Sequence, residues 1–438
     1  MRPKLRTSAL LKLFAVVAMT LIVASGAGAA SKYKVLYAFK GGNDGSFPSG
    51  ALVFDTAANL YGATLYGGAA ACSGPPTGCG TVFALTPDSN GRWKESVIYR
   101  FQDGDDGAQP NGRLIFDSSG NLYGTTGSAD IIFNPDRCGT AFSLTPTSHG
   151  WSLATISTFC SSANDGIAPT PGLVQDKAAN LYGMAQSGGS QLGGIAFQLT
   201  PGSSGWTESD LYGFCVVGNC VSSGSQPLAG LVFDAAGNLY GTTVQGGSTS
   251  RPCVGGFPGG CGVVFKLTPA SDGKWTESVL HQFTGPDGIA PGANLTFDNK
   301  GNLYGTTGSG GAFGQGTVFK LTPSNHRWKY SVLYNLRGRS SQGSLNTGLV
   351  LDAVGNLYGA TLWGGIGSCF SGAGCGVVYK LTPQSHGRWK YTALHRFSGV
   401  QDGGEPSGDL ILDKDGHVLG TAGVGGVSGN GVVFEITP

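Results

Sequence analysis

Short apolar runs recur along the chain, separated by clusters of Gly, Pro, Asn, Asp and Ser, and their pattern is that of strands. In the unit around residue 302, positions 294–298 read as a first strand, 299–301 as a turn and 302–307 as a second strand. A Gly-rich loop, 308–316, leads to a third strand at 317–322, which Pro323 is expected to stop. The polar turn 324–327 then opens a fourth strand at 328–336. This is a four-stranded antiparallel meander. In its second and third strands apolar residues sit side by side, Leu303 with Tyr304 and Val318 with Phe319, so both faces of the sheet are apolar and both must be covered.

The unit repeats. Asn-Leu-Tyr-Gly begins at Asn59, Asn121, Asn180, Asn238, Asn302 and Asn356, with a degenerate copy at His417. Leu-Thr-Pro begins at Leu85, Leu144, Leu199, Leu267, Leu321 and Leu381, and Ile436-Thr437-Pro438 is its seventh copy. Fourth strands running from Trp to a terminal aromatic or Leu follow only six of the third strands, at 93–101, 151–159, 206–214, 275–283, 328–336 and 389–397. The seventh copy, 33–39, stands ahead of all the others. An N-terminal strand that completes the last unit closes a ring and removes exposed sheet edges. The expected fold is therefore all-β: a single seven-bladed β-propeller over 31–438, each blade a four-stranded antiparallel sheet.

Residues 1–30 read as a secretory signal, with Arg2, Lys4, Arg6 and Lys12 ahead of the apolar stretch 13–24 and a small-residue cleavage region at 25–30. Its removal takes four of the 27 basic residues and none of the 26 acidic ones, leaving a slightly acidic chain. Charged residues are only 12% of the whole, which removes the electrostatic footprint of a nucleic-acid binder, and no later segment is a membrane span. An exported, extracellular, periplasmic or cell-surface monomer is expected. The ten cysteines then read as disulfides. Four close pairs each clip one loop: Cys72 with Cys79, Cys215 with Cys220, Cys253 with Cys261 and Cys369 with Cys375. Cys138 and Cys160 remain to staple one blade between the start of its third strand and the end of its fourth.

The tandem Asn-Leu-Tyr-Gly-Thr-Thr, a downstream Gly-Gly, then Gly-x-Val-Phe-x-Leu-Thr-Pro and Trp, resembles the bacterial choice-of-anchor tandem repeat GloVer-containing proteins over nearly all of 33–438. The resemblance implies a repeat fold and surface attachment and no particular activity. Members of that family often carry a C-terminal sorting or anchor segment; the sequence ends at Pro438 without one, and a released or periplasmic protein is the expectation.

Candidate chemistry lies in the loops. Loops between second and third strands share one face of the ring with the blade-to-blade connections, and they vary in length and composition. The opposite turns are short and uniform. A rigid scaffold carrying variable stapled loops is expected of a binding face. Tyr66, Phe133, Phe257, Phe313, Trp363 and Phe370 are its ring-bearing candidates, suited to a sugar or an apolar peptide side chain. Trp363 stands apart because the other six Trp begin fourth strands. Asp55, Asp117, Asp176, Asp234, Asp298, Asp352 and Asp413 end first strands and read as turn caps. Asp44, Asp106, Asp165, Asp287 and Asp402 open Asp-Gly-x-x-Pro connections, and Asp103, Asp105 and Asp106 are calcium candidates. The histidines map to repeated scaffold positions, and no cofactor motif occurs. The sequence favours an exported module that binds a glycan or protein on the loop face. Its alternatives are a polysaccharide or ester hydrolase or lyase with a site at the central opening, and a structural envelope or matrix protein.

Overall fold

The computed structural model describes residues 31–68, 72, 78–127, 139–161, 165–215, 223–247, 253, 259–325, 327–338 and 347–438. The expected signal segment, 1–30, lies outside them. Seven antiparallel blades form a closed ring. Blade 1 takes its strands from Ser46–Phe54, Leu60–Tyr66, Thr81–Pro87 and Trp93–Arg100, from the axis outward, and blades 2 to 6 repeat the order. Blade 7 has Ile411–Leu412, Val418–Ala422 and Val432–Thr437, and its outer strand is Lys32–Ala38, paired from Lys32 opposite Thr437 to Ala38 opposite Val432. The first and last strands of the chain thus close the circle.

The hydrophobic cores lie between the blades. There are seven clusters, and each joins two adjacent blades. The aromatic that ends a fourth strand packs on the third-strand aromatic of the next blade: Phe39 on Phe83, Phe101 on Phe142, Phe159 on Phe197, Phe214 on Phe265, Phe283 on Phe319 and Phe397 on Phe434, with ring centroids 4.9–5.4 Å apart. At the remaining junction the smaller Leu336 is matched by the larger Tyr379, and both are fully buried. Near the opposite face the Tyr of Asn-Leu-Tyr-Gly reaches the next blade's Trp, as in Tyr61 with Trp151 at 5.9 Å and Tyr240 with Trp328 at 5.8 Å.

The repeated turn Asp is a cap. Asp55 accepts the N–H groups of Ala57 and Asn59 on Oδ1, and the Asn59 amide and Tyr61 hydroxyl on Oδ2. Blades 2 to 6 repeat this arrangement, as in Asp298 with Asn302 and Tyr304. In blade 7 the ring of His417 takes the place of the Asn amide, 2.8 Å from Asp413.

One sequence expectation is corrected. The third strand runs through its proline, since Pro323 pairs with Trp328 and Ser324 with Arg327 at the mouth of the hairpin; a proline there forfeits little of the ladder. The motif glycine is required by neighbouring side chains. A Cβ on Gly305 would stand 2.5 Å from the Phe319 ring and 2.7 Å from Leu295.

Tyr379 carries a fully buried hydroxyl with no hydrogen-bond partner, at a position where the other blades have Phe. Tyr379→Phe is therefore expected to raise stability by about 1 kcal/mol, read as a higher midpoint in thermal unfolding. An unchanged or lower midpoint would show that the hydroxyl is satisfied in solution.

Candidate functional site

The loop face is assembled as the sequence pattern expects. The amide of Gly68, in the second-to-third-strand loop of blade 1, bonds the Gly42 carbonyl of the blade 7–1 connection at 2.8 Å, and Gly426 bonds Val400 at 2.6 Å in the same way. Disulfides Cys72–Cys79, Cys253–Cys261 and Cys369–Cys375 staple three of these loops. Cys160 and Cys215 are also disulfide-bonded, while Cys138 and Cys220 lie outside the described residues.

The described ring-bearing candidates, Tyr66, Phe313 and Trp363, stand on three different blades. Tyr66 is half-buried and stands edge-on to Phe47 at 6.1 Å. Trp363 is half-buried, with its carbonyl accepting the Thr361 hydroxyl at 2.9 Å. Phe313 is exposed, and the Arg337 guanidinium sits 5.1 Å from its ring centroid. Phe133, Phe257 and the side chain of Phe370 lie outside the described residues. Among the described residues, the most exposed apolar groups on this face are mainly aliphatic. Among the described residues, six large apolar side chains are at least half exposed, and Leu192, Phe313, Ile366, Val400 and Val427 lie in loops or strand ends of this face. Only Val354 is on the opposite one. Ile366, Val400 and Val427 stand on linked loops of blades 6 and 7: the Ile366 carbonyl accepts the Cys375 amide, Gly399 abuts the Cys369–Cys375 sulfurs, and the Val400 carbonyl accepts the Gly426 amide.

On the ring axis the structure brings together residues that sequence reasoning did not single out. The position before the repeated Leu of the first strand is Ala51, Arg113, Gly172, Gly230, Asn294, Gly348 and Asp409 in blades 1 to 7. Its three polar members form a neck. Asp409 accepts the Gly348 amide on Oδ1 and the Asn294 amide on Oδ2, both at 2.6 Å, and Asn294 Oδ1 accepts the Gly230 amide at 2.6 Å. Gly348 is glycine because a Cβ would stand 2.7–2.8 Å from the Asp409 carboxylate. The neck divides an upper chamber of about 210 Å3, toward the loop face, from a lower one of about 480 Å3 lined by Val53, Thr296, Val350 and Ile411. Aligning the seven repeats at that Leu would have exposed the three polar exceptions.

The Asp-Gly-x-x-Pro carboxylates tie blades to their connections. Tyr37 bonds Asp44 at 2.7 Å and Tyr99 bonds Asp106 at 2.9 Å; His281 and His395 replace these tyrosines and meet Asp287 and Asp402 at 2.8 and 3.0 Å. Each histidine stacks on a tyrosine of the next blade, His281 on Tyr330 and His395 on Tyr33. Burial works to raise Asp287 and Asp402, but the histidine and Thr284 or Ser398 hydrogen bonds outweigh it and hold both below the ordinary carboxylate range. Of the calcium candidates, Asp106 also caps the amides of Gln102 and Gly104, Asp105 offers its carbonyl to Thr155, and Asp103 lies beside the Cys72–Cys79 sulfurs. These three carboxylates do not converge on one point. Asp413, Asp415 and His417 do come together, as the blade 7 copy of the turn, and Lys414 pairs with Asp415.

Two blades place a glutamate against such a carboxylate. Burial, and then the charge of Asp44, push Glu95 up to about 7. Burial and Asp165 raise Glu208 to about 7 against a hydrogen bond from Ser157.

A family model, the Gloeobacter/Verrucomicrobia repeat, matches residues 73–255 and 252–438. Among solved structures, a polysaccharide lyase of family 25, an ulvan lyase bound to -[GlcA(1-4)Rha3S]-, is 8% identical with a TM-score of 0.51 over 91% of this chain and 94% of its own. A protein of unknown function from Dyadobacter fermentans is 12% identical with a TM-score of 0.46 over 93% of this chain and 98% of its own. Both likenesses are of fold alone. No curated protein sequence matches the chain. Among the described residues, no helix is long and apolar enough to cross a membrane.

The carboxylate pairs set the pH dependence of stability. An acid raised in the folded state retains a proton that the unfolded chain, titrating near 4.3, has released. Its stabilisation is present at low pH and lost as pH rises toward about 7. The lowered turn carboxylates, Asp55 to Asp352, act oppositely: their contribution is present above about pH 4 and lost as pH falls through their folded pKa values. The melting temperature is expected to be highest near pH 5 and to fall toward pH 8. Replacing Glu95 and Glu208 together by Gln should flatten that fall, and a slope unchanged in the double variant would refute the assignment.

Proposed function

The chain belongs to the Gloeobacter/Verrucomicrobia repeat family, and from that premise we propose that it is an exported interaction module holding a protein partner on its loop face. The observation that carries this reading is the gathering, among the described residues, of exposed large apolar side chains on that face, with Ile366, Val400 and Val427 on linked loops of blades 6 and 7. Grouped exposed apolar groups mark interaction surfaces. Aliphatic groups fit the side chains of another protein better than a sugar ring, which wants an open aromatic face; Tyr66 and Trp363 are half-buried. Disulfides beneath the loops hold them in place before binding, so less freedom is lost on association. They also favour an oxidising, exported setting. Hydrolysis at the axis is less well supported. Paired-carboxylate chemistry needs two acids, and among the described residues lining the upper chamber Asp409 is the one carboxylate, with both oxygens already hydrogen-bonded.

The test is cross-linked capture from the exported proteins of the native culture, with the wild-type protein, an Ile366→Asp, Val400→Asp, Val427→Asp triple variant and a Val354→Asp control. Surface changes of this kind alter stability by roughly 0.5 kcal/mol or less each, so all forms should melt alike. The triple variant is expected to lose a specific partner that the control retains. Capture that survives the triple change, or fails equally in the control, would remove the loop face from the reading.

A further inference from the structure

The upper axial chamber presents an uneven set of polar groups. From blade 7 through blade 1 to blade 2 its wall carries Ser407, Ser49, Asn111 and Arg113. Ser49 is 5% exposed, and its hydroxyl has no hydrogen-bond partner. Arg113 is exposed within the ring and forms no ion pair among the described residues. Asp409, from blade 7, is held by Gly348 and Asn294, and these two bonds leave part of a carboxylate's acceptor capacity open. Pro171, Leu228 and Ala293 make the rest of the wall apolar.

A guanidinium in a narrow chamber with low-dielectric walls concentrates its field on the space in front of it. Its planar fork matches a carboxylate in two parallel hydrogen bonds. Asn111 and Ser49 stand on the same arc with further donors, whereas Asp409 accepts from hydroxyls. The volume of about 210 Å3 lies below the roughly 300–1,000 Å3 of drug-sized pockets and limits the occupant to about one sugar unit. We propose that the upper axial chamber binds a small hydroxylated carboxylate, a sugar acid of monosaccharide size, with its carboxylate on Arg113 and its hydroxyls shared among Ser49, Asn111 and Asp409. The site is separate from the loop-face patch and stands or falls independently of it.

Calorimetric titration of the purified, oxidised protein with D-glucuronate, D-gluconate, D-glucose and acetate tests the assignment. At least one of the two sugar acids is expected to bind at one site per chain, with D-glucose and acetate weaker by roughly tenfold or more. Arg113→Met should reduce the affinity by roughly ten- to a hundredfold, the range for losing a hydrogen bond to a charged group. Asn111→Asp, which sets a like charge beside the carboxylate and keeps Arg113, should weaken it as well and serves if the first variant does not fold. The Ile366, Val400, Val427 triple variant should bind as the wild type does. Absence of binding by both sugar acids, equal binding of D-glucose, or wild-type affinity in a folded Arg113→Met or Asn111→Asp variant would each overturn the proposal.

Discussion

The second and third strands of each blade are apolar on both faces, and that constraint governs the architecture. A blade alone would expose both of these faces to water, so each must be pressed between two others. The seven inter-blade clusters, with the terminal aromatic of one blade set on the third-strand aromatic of the next, are the result. An open row would leave two end faces uncovered. The pairing of Lys32–Ala38 with Val432–Thr437 avoids this by making the last blade from both ends of the chain.

The motif residues take their roles from the same packing. The Asn-Leu-Tyr-Gly segment supplies an amide to the turn carboxylate, a Leu to one interface, a Tyr hydroxyl that caps the same carboxylate while its ring reaches the next blade's Trp, and a Gly overlain by a Phe. Single members can change. His417 replaces the Asn amide at Asp413, and Tyr379 stands where the other blades have Phe. Uniformity on the polar face and between blades leaves two places free to differ: the loops that need only close their own connection, and the axial positions, where each blade faces a shared opening.

Both free places depart from the repeat here. The loops hold the disulfides and most of the exposed aliphatic groups, and the axis holds a neck built from blades 2, 5 and 7. The neck departs from the repeat in paired fashion. Asp409 requires a glycine at 348, and Asn294 engages the amide of Gly230, where a Cβ would stand 3.0 Å from its oxygen.

The sequence by itself determined the strand order, the count of seven, the closure by the N-terminal segment and the turn role of the repeated Asp. These follow from local alternation, turn chemistry and a repeat that recurs in register, all of which are properties of neighbouring residues. It also located the variable face, since short and long loops alternate within each unit. Only the tertiary structure decided which loop residues stand open to solvent, turning attention from Trp363 and Tyr66 to Ile366, Val400 and Val427. It alone brought Arg113, Asn294 and Asp409 to one neck. The physical reason is that burial at a loop and convergence at an axis depend on how separate blades meet in space, and side chains far apart along the chain carry no local signal of that meeting.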